Sequence, residues 1–460
     1  MPLQRQLAGR IRTAIRDGQL APGARLPSSR ALAVSLGVSR TVVVGAYEEL
    51  GAEGYLEGRR GSGTYVAAEL AGLTPLEDPA PPGPSSPYPA ADLRAKAAIE
   101  FTVGRTDTRV LSLRLWKRMW RSVARRLPSH DDSPPEGDPH LRTAIAAYLR
   151  QARGLRCGPD DVVVTPGAMQ ALRLLARAVV RPGDPAAVEE PGYPVARQIL
   201  RAEGASLVPV PADDDGLRVD LLPTRPPPVL VYVTPSHHYP LGGRLPVPRR
   251  MRLLQWAASH GVLIVEDDYD SELRYGGPPI PAAAGLDGAG CVAYVGTFSD
   301  VLTPVLRLGY VVAAPTLRRR ILELKQQTED HTPWPVQRAV ATLIAEGDFS
   351  RHIARVRRHY AARRAALREA LSGLEPMATL RGLDAGLHAF LELHPALDAE
   401  AIARQAATRG VIVHTIAPCY LARPDRQGLL LGYGGISEED IRRGAAVIAS
   451  LVREAVERVD

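Results

Sequence analysis

The sequence predicts an α/β protein in two unequal parts. A small helical unit closed by a two-stranded ribbon is followed by a large domain with a mostly parallel sheet and a small C-terminal α+β part. Three observations predict this. The first 66 residues carry helical apolar spacing and then a glycine-rich ribbon. A stretch with seven prolines between Pro75 and Pro89 follows. From about Ile99 onward, short apolar runs that end in turn residues alternate with segments of helical period, the pattern of buried strands covered by helices on both faces. The expected boundaries are 1–68 for the small unit, 69–98 for a proline-rich linker and 99–460 for the large domain.

Within the small unit, Leu3, Leu7, Ile11 and Ile15 recur at helical spacing, and Gly18 with the Pro22-Gly23 turn ends that helix. The stretch LPSSRALAVSLGVSRTVVVGAYEELGAEGYL then gives two further helices. Ser28 or Ser29 caps the first and Ser39 the second, each hydroxyl accepting a backbone N–H that the helix leaves unpaired. The short Leu-Gly-Val connection between them is a helix-turn-helix turn. GYLEGRRGSGTYV reads as a two-stranded ribbon with a glycine-rich tip. Nine arginines and no lysines against five acids give residues 1–66 a charge of about +4.

In this order, LPSSRALA, GVSRTVV and YLEGRRGSGTYV resemble the winged helix-turn-helix of the GntR regulator family. The resemblance implies double-stranded operator DNA as partner. Ser28, Arg30, Ser39, Arg40 and Thr41 at helix starts, and Arg59, Arg60, Gly61 and Thr64 in the wing, are then the expected contacts. Hydroxyls and helix N-termini hold phosphates, and arginines read guanine edges.

The large domain begins its pattern with DVVVTPG, a strand and tight turn. The following helix offers the free N–H groups of Gly167, Ala168 and Met169 to an anion. EEPGYP carries Tyr193, and TPSHHYPLGG carries His237 and His238 at a strand end, where open α/β sheets collect ligands. VLIVEDDYDSELRY carries Asp267 and Tyr269. GTFSDVLTPVLRLGY carries Thr297, Ser299, Asp300 and Arg307. A long helix starts near Asp348 and leads into the C-terminal part. From about Phe101 to Arg453 these words resemble a fold-type I aminotransferase, and with the N-terminal unit the chain resembles the MocR/GabR regulators. The resemblance implies a pyridoxal-phosphate site. Tyr193 would stack on the ring, Asp267 would face the ring nitrogen and Tyr269 the phenolic oxygen. Thr297, Ser299 and Arg307 would hold the phosphate. It also implies a head-to-tail homodimer and a small-molecule effector.

One residue departs from that pattern. Asp300 stands where the resemblance places the Schiff-base lysine, seven residues before Arg307, and a carboxylate cannot replace an amine there. The sequence has only three lysines, Lys96, Lys117 and Lys325, and none lies in a matching motif. Pro166 and Met169 also depart from the family turn. GLLLGYGG is apolar where some relatives carry a carboxylate-binding arginine, with Arg423 and Arg426 near in sequence. Three readings stay open at this level: a degenerate sensor unable to form an internal aldimine, a regulator that binds pyridoxal phosphate or pyridoxamine phosphate non-covalently, and a pyridoxamine-using enzyme. The expectation is the first, with no catalytic residue, no covalent cofactor and no ordinary aminotransferase activity.

Composition fits a regulator inside the cell. The net charge of +7 rests on arginine. No apolar run is long enough to cross a membrane, and no signal-peptide pattern opens the chain. Cys157, Cys291 and Cys419 show neither metal nor disulfide spacing. The expected location is the cytoplasm, with no membrane partner and no metal.

Overall fold

A computed structural model describes residues 3–59, 62–70, 99–127, 133–276, 280–328 and 331–458. By backbone contacts they divide into two units, Met1–Ser86 and Pro87–Asp460. The expected DNA contacts Arg60 and Gly61 of the wing, and residues 71–98 of the expected linker with Lys96, lie outside the described residues. Ala68–Leu70, across the expected boundary between the small unit and the linker, is a short 3-10 turn.

The first unit contains α1 (Leu3–Arg16), α2 (Ser29–Leu36), α3 (Arg40–Ala52), β1 (Leu56–Arg59) and β2 (Gly63–Val66). Ala8, Ile11 and Ile15 of α1 pack with Ala46 and Leu50 of α3, Leu56 and Val66 in one small core. Ser28 caps α2 by accepting from the Ala31 N–H at 3.2 Å, and Ser39 caps α3 by accepting from the Val42 N–H at 3.4 Å. Gly37 ends α2 with φ 64°, a left-handed conformation in which a side chain would be strained. β1 and β2 pair antiparallel, Leu56 opposite Val66 and Arg59 opposite Gly63, and form the expected wing.

The second unit opens with β3 (Ile99–Glu100), α4 (Leu113–Ala124) and α5 (Pro139–Ala152). Then come β4 (Val162–Thr165), α6 (Ala168–Val179), β5 (Pro185–Glu190), α7 (Pro194–Ala202), β6 (Ser206–Asp213), β7 (Gly216–Leu217), β8 (Leu230–Val233), α8 (Val247–His260) and β9 (Leu263–Asp268). β10 (Val292–Thr297), β11 (Gly309–Val312), α9 (Pro315–Gln327), α10 (Trp334–Ala345) and α11 (Asp348–Ala370) follow. The C-terminal part holds β12 (Ala378–Arg381), β13 (His388–Leu393), α12 (Ala399–Thr408), β14 (Val411–Ile412), β15 (His414–Thr415), β16 (Gly428–Gly432) and α13 (Glu438–Val456).

The large sheet has the order β4-β11-β10-β9-β8-β5-β6-β7. β10, β9, β8, β5 and β6 run parallel, while β11 is antiparallel to both of its neighbours. Alternation along the strands divides the core. Val163, Tyr232, Val265 and Val295 face α6 and α7, whereas Val231, Val233 and Ile264 face α8. A sheet buried on both faces explains why these strands read as continuous apolar runs. The smaller sheet, β12-β13-β16-β15, packs with α11 and α13 in a further core.

Candidate ligand-binding site

The carboxyl ends of the parallel strands converge on one cavity of about 310 Å³. Each predicted residue arrives by its own route. Gly167 ends the turn after β4 with φ 106° and starts α6, so the free N–H groups of the first α6 turn point out of the sheet edge. Tyr193 follows β5, Asp267 and Tyr269 lie at the end of β9, and Thr297, Ser299 and Asp300 lie at and beyond the end of β10. Arg307 precedes the antiparallel β11, which brings it to the same edge. All of these residues, with Ala168 and Met169, line the cavity.

Arg307 and α6 define an anion cradle. Arg307 is the single non-glycine residue at positive φ among the described residues, at 47°, a conformation that functional sites often hold at some cost. Its guanidinium reaches the start of α6, since a Cβ on Gly167 would sit 3.7 Å from Arg307 Nη2. No hydrogen bond or ion pair within the described residues engages that guanidinium. The Thr297 hydroxyl donates to Ser299 Oγ at 3.0 Å and accepts from the Ser299 N–H at 3.2 Å, which leaves the Ser299 hydroxyl proton to donate elsewhere.

The other wall is acidic. Asp267 Oδ2 accepts from the Tyr232 hydroxyl at 2.5 Å, while its Oδ1 is buried without a partner. Burial, opposed by that tyrosine hydrogen bond and reinforced by Asp268 and Asp270, pushes the Asp267 carboxyl up to about 7. Asp300 is half-buried on the cavity wall. Burial among Asp270, Glu272 and Asp267 raises its carboxyl well above the usual carboxylate range. Asp268 points away from this group and pairs with Arg153 at 2.8 Å.

Neither described lysine serves the cavity. Lys117 is exposed on α4, and buried Lys325 donates from Nζ to the Val164 carbonyl at 2.5 Å. Arg426, considered as a carboxylate partner, is held by Asp214 at 2.6 Å. Leu430 of GLLLGYGG lines the cavity instead, with Leu387 and Val103.

His237 and His238 depart from expectation, because neither lines this cavity. His238 is buried 3.9 Å from Glu189, and burial beside His237 pushes it down to about 3, so it is neutral. His237 turns toward Asp270 and borders a second cavity of about 350 Å³. Both residues follow β8, but the turn there directs both rings elsewhere. Sequence reasoning missed Tyr232, the partner of Asp267. Tyr232 lies opposite Val265 in the parallel β8–β9 register, and Asp267 is two residues farther along that face. It also missed Asp270, His388 and His414, which line the cavity from loops and strands far apart in sequence.

In the first unit, Ser28, Arg30, Ser39, Arg40, Thr41 and Arg59 are exposed, while Thr64 is half-buried. Arg40 Nε donates to Ser29 Oγ at 3.4 Å, linking the starts of α2 and α3. Arg59 pairs with Glu57 at 2.7 Å and lies 4.7 Å from the Tyr65 ring centre, which holds it along the wing.

Comparison with known proteins agrees with this division. Residues 3–66 match the model for bacterial regulatory proteins of the gntR family, and residues 127–448 match aminotransferase class I and II. A probable rhizopine catabolism regulatory protein, MocR, of Rhizobium meliloti is 37% identical over 96% of this chain and 92% of its own length. The pyridoxine biosynthesis transcriptional regulator PdxR of Corynebacterium glutamicum is 38% identical over 97% of this chain and 95% of its own. Among solved structures, kynurenine aminotransferase of Pyrococcus horikoshii, determined in complex with PMP, superposes with a TM-score of 0.73 at 26% identity. That match covers 80% of this chain and 95% of that one.

Proposed function

The chain belongs to the MocR-type regulators, a gntR-family DNA-binding unit joined to a class I and II aminotransferase domain, and from that premise we propose that its large domain is a sensor that holds pyridoxamine phosphate without a covalent bond. The protein is a DNA-binding transcriptional regulator. The observation that carries the finer reading is that one cavity is lined by a guanidinium and a carboxyl group, Arg307 and Asp300, neither engaged by another described side chain.

The residues fit such a group. Arg307, the α6 N-terminus and the Ser299 hydroxyl would hold the phosphate. The orphaned Asp267 Oδ1 would accept from a protonated ring nitrogen, Tyr193 would cover the ring, and Asp300 would take the position of the family's lysine. Bound, the ligand supplies an ammonium group that the Asp300 carboxylate neutralises. The carboxylate holds the charge but cannot form the lysine bond that amino-group transfer needs. Ordinary aminotransferase activity is therefore absent. The apolar wall of Leu387, Leu430 and Val103 offers nothing to a substrate carboxylate.

In this reading the effector state of the large domain sets how the winged helices of a head-to-tail homodimer meet operator DNA. Such coupling requires the ligand to bind two conformations with different affinity. Calorimetry with pyridoxamine phosphate and pyridoxal phosphate, beside gel shifts with and without ligand, tests it. Tighter binding of the amine form and a ligand-dependent shift support the proposal. A pocket that binds neither form has been turned over to another effector, and the proposal fails.

A further inference from the structure

We propose that His237, Asp270 and His388 bind a divalent transition-metal ion of the zinc class. The three come from distant segments, the turn after β8, the loop after β9 and the start of β13. All are buried, at 2%, 1% and 2% exposure. Their candidate ligand atoms lie within 4.8 Å of one another.

Hydrogen bonding fixes which ring atoms carry lone pairs. His237 Nε2 lies 3.3 Å from the Gly382 carbonyl oxygen, which only accepts, so Nε2 carries the hydrogen. In the neutral ring, Nδ1 then presents a lone pair, and it lies 2.6 Å from Asp270 Oδ2. Two lone pairs at that distance require a positive centre between them. His388 repeats the arrangement. It donates to the Pro240 carbonyl, while its Nε2 is buried and has no partner. Asp270 Oδ1 is likewise buried without a partner.

A proton on His237 Nδ1 would join the first pair and leave both other atoms unsatisfied. A metal ion serves all three. Two imidazoles and a carboxylate are a common donor set for zinc, and backbone carbonyls on the far ring nitrogens are the usual way such ligands are oriented. Bonds of about 2.0–2.2 Å put tetrahedral ligands about 3.3 Å apart. The His237–Asp270 pair therefore opens, and His388 closes, by about an ångström. The Tyr269 hydroxyl, 3.3 Å from His237 Nδ1, flanks a fourth position that water can fill. Bare backbone at Gly386 keeps the cluster compact, since a Cβ there would lie 2.3 Å from Asp270 Oδ2. An ion here would also offset the carboxylates of Asp267, Asp270 and Asp300 that line the adjoining cavity.

The cluster shares the cavity wall through Asp270 and His388 but uses none of the residues of the phosphate cradle. The test is a cobalt(II) titration of the full chain after chelator treatment, followed in the visible region, with zinc content measured after dialysis. One ion per chain is expected. Affinity should fall by more than the roughly 10–100-fold that an outer-shell partner costs in His388→Ala, and remain unchanged in His140→Ala, whose ring is exposed. Asp270→Asn replaces His388→Ala if that variant does not fold by circular dichroism. Wild-type protein that takes up no stoichiometric ion overturns the proposal, as does binding that survives both substitutions.

Discussion

Asp300→Asn removes one charge from the cavity at nearly constant volume and tests the central electrostatic argument. Asp300 shares the site with Asp267, Asp270 and Glu272, and burial among them raises its carboxyl well above the usual carboxylate range. Two opposing effects set the magnitude. A unit charge about 4 Å from an ammonium is worth about 4 kcal/mol at an effective dielectric constant of 20. Deprotonating a carboxyl with a raised pKa takes back part of this at neutral pH. What remains is about 1.5–3 kcal/mol, the net value of a hydrogen bond to a charged group, or about 10–150-fold in affinity. Pyridoxamine phosphate should therefore bind Asp300→Asn about 10–150-fold more weakly, and the loss should grow as pH rises and wild-type Asp300 ionises. Pyridoxal phosphate carries no ammonium, so its affinity should change little or improve. Isothermal titration calorimetry of both ligands at several pH values measures this. Equal loss for both ligands, or an unchanged affinity for the amine form, would refute the pairing.

Arg307→Ala should weaken pyridoxamine phosphate by about 1.5–3 kcal/mol and leave phosphate-free pyridoxamine unaffected, as competition binding would show. Glu189, buried with the Thr234 N–H at 3.1 Å and the Thr234 hydroxyl at 2.7 Å, is pushed up to about 8 by burial against those hydrogen bonds. The fold keeps that proton while the unfolded chain releases it near 4. The contribution is thus fully present below about pH 4 and is lost as pH rises to about 8, a few kcal/mol in total. Melting temperature should fall over that range and Glu189→Gln should flatten the fall, so an unchanged slope would remove Glu189 as its source. Arg40→Ala should cost about 1–3 kcal/mol of specific DNA binding with circular dichroism unchanged, and an operator gel shift at fixed salt measures it.

The sequence made the strand ends legible because each buried strand finishes in turn chemistry and topology gathers those ends at one edge. Gly167, Asp267, Thr297 and Arg307, expected together from the family resemblance and from their places at strand ends, line one cavity. Side-chain direction was not legible. His237 and His238 follow a strand like the others, yet the turn sends one ring to Asp270 and buries the other near Glu189. Tyr232 read as one more apolar strand residue, because only the β8–β9 register reveals that its hydroxyl meets Asp267. The metal-ligand cluster was invisible for a related reason. Its members are 33 and 118 residues apart, from 237 to 270 and from 270 to 388, so no local spacing marks it.

Native mass spectrometry of the protein incubated with pyridoxamine phosphate, compared with the same sample after denaturation, tests the central claim most directly. The account predicts one cofactor mass per chain in the native spectrum, lost on denaturation. A mass that stays on the chain after borohydride reduction with pyridoxal phosphate would reveal a lysine bond and contradict it, as would a native spectrum with no cofactor from either form.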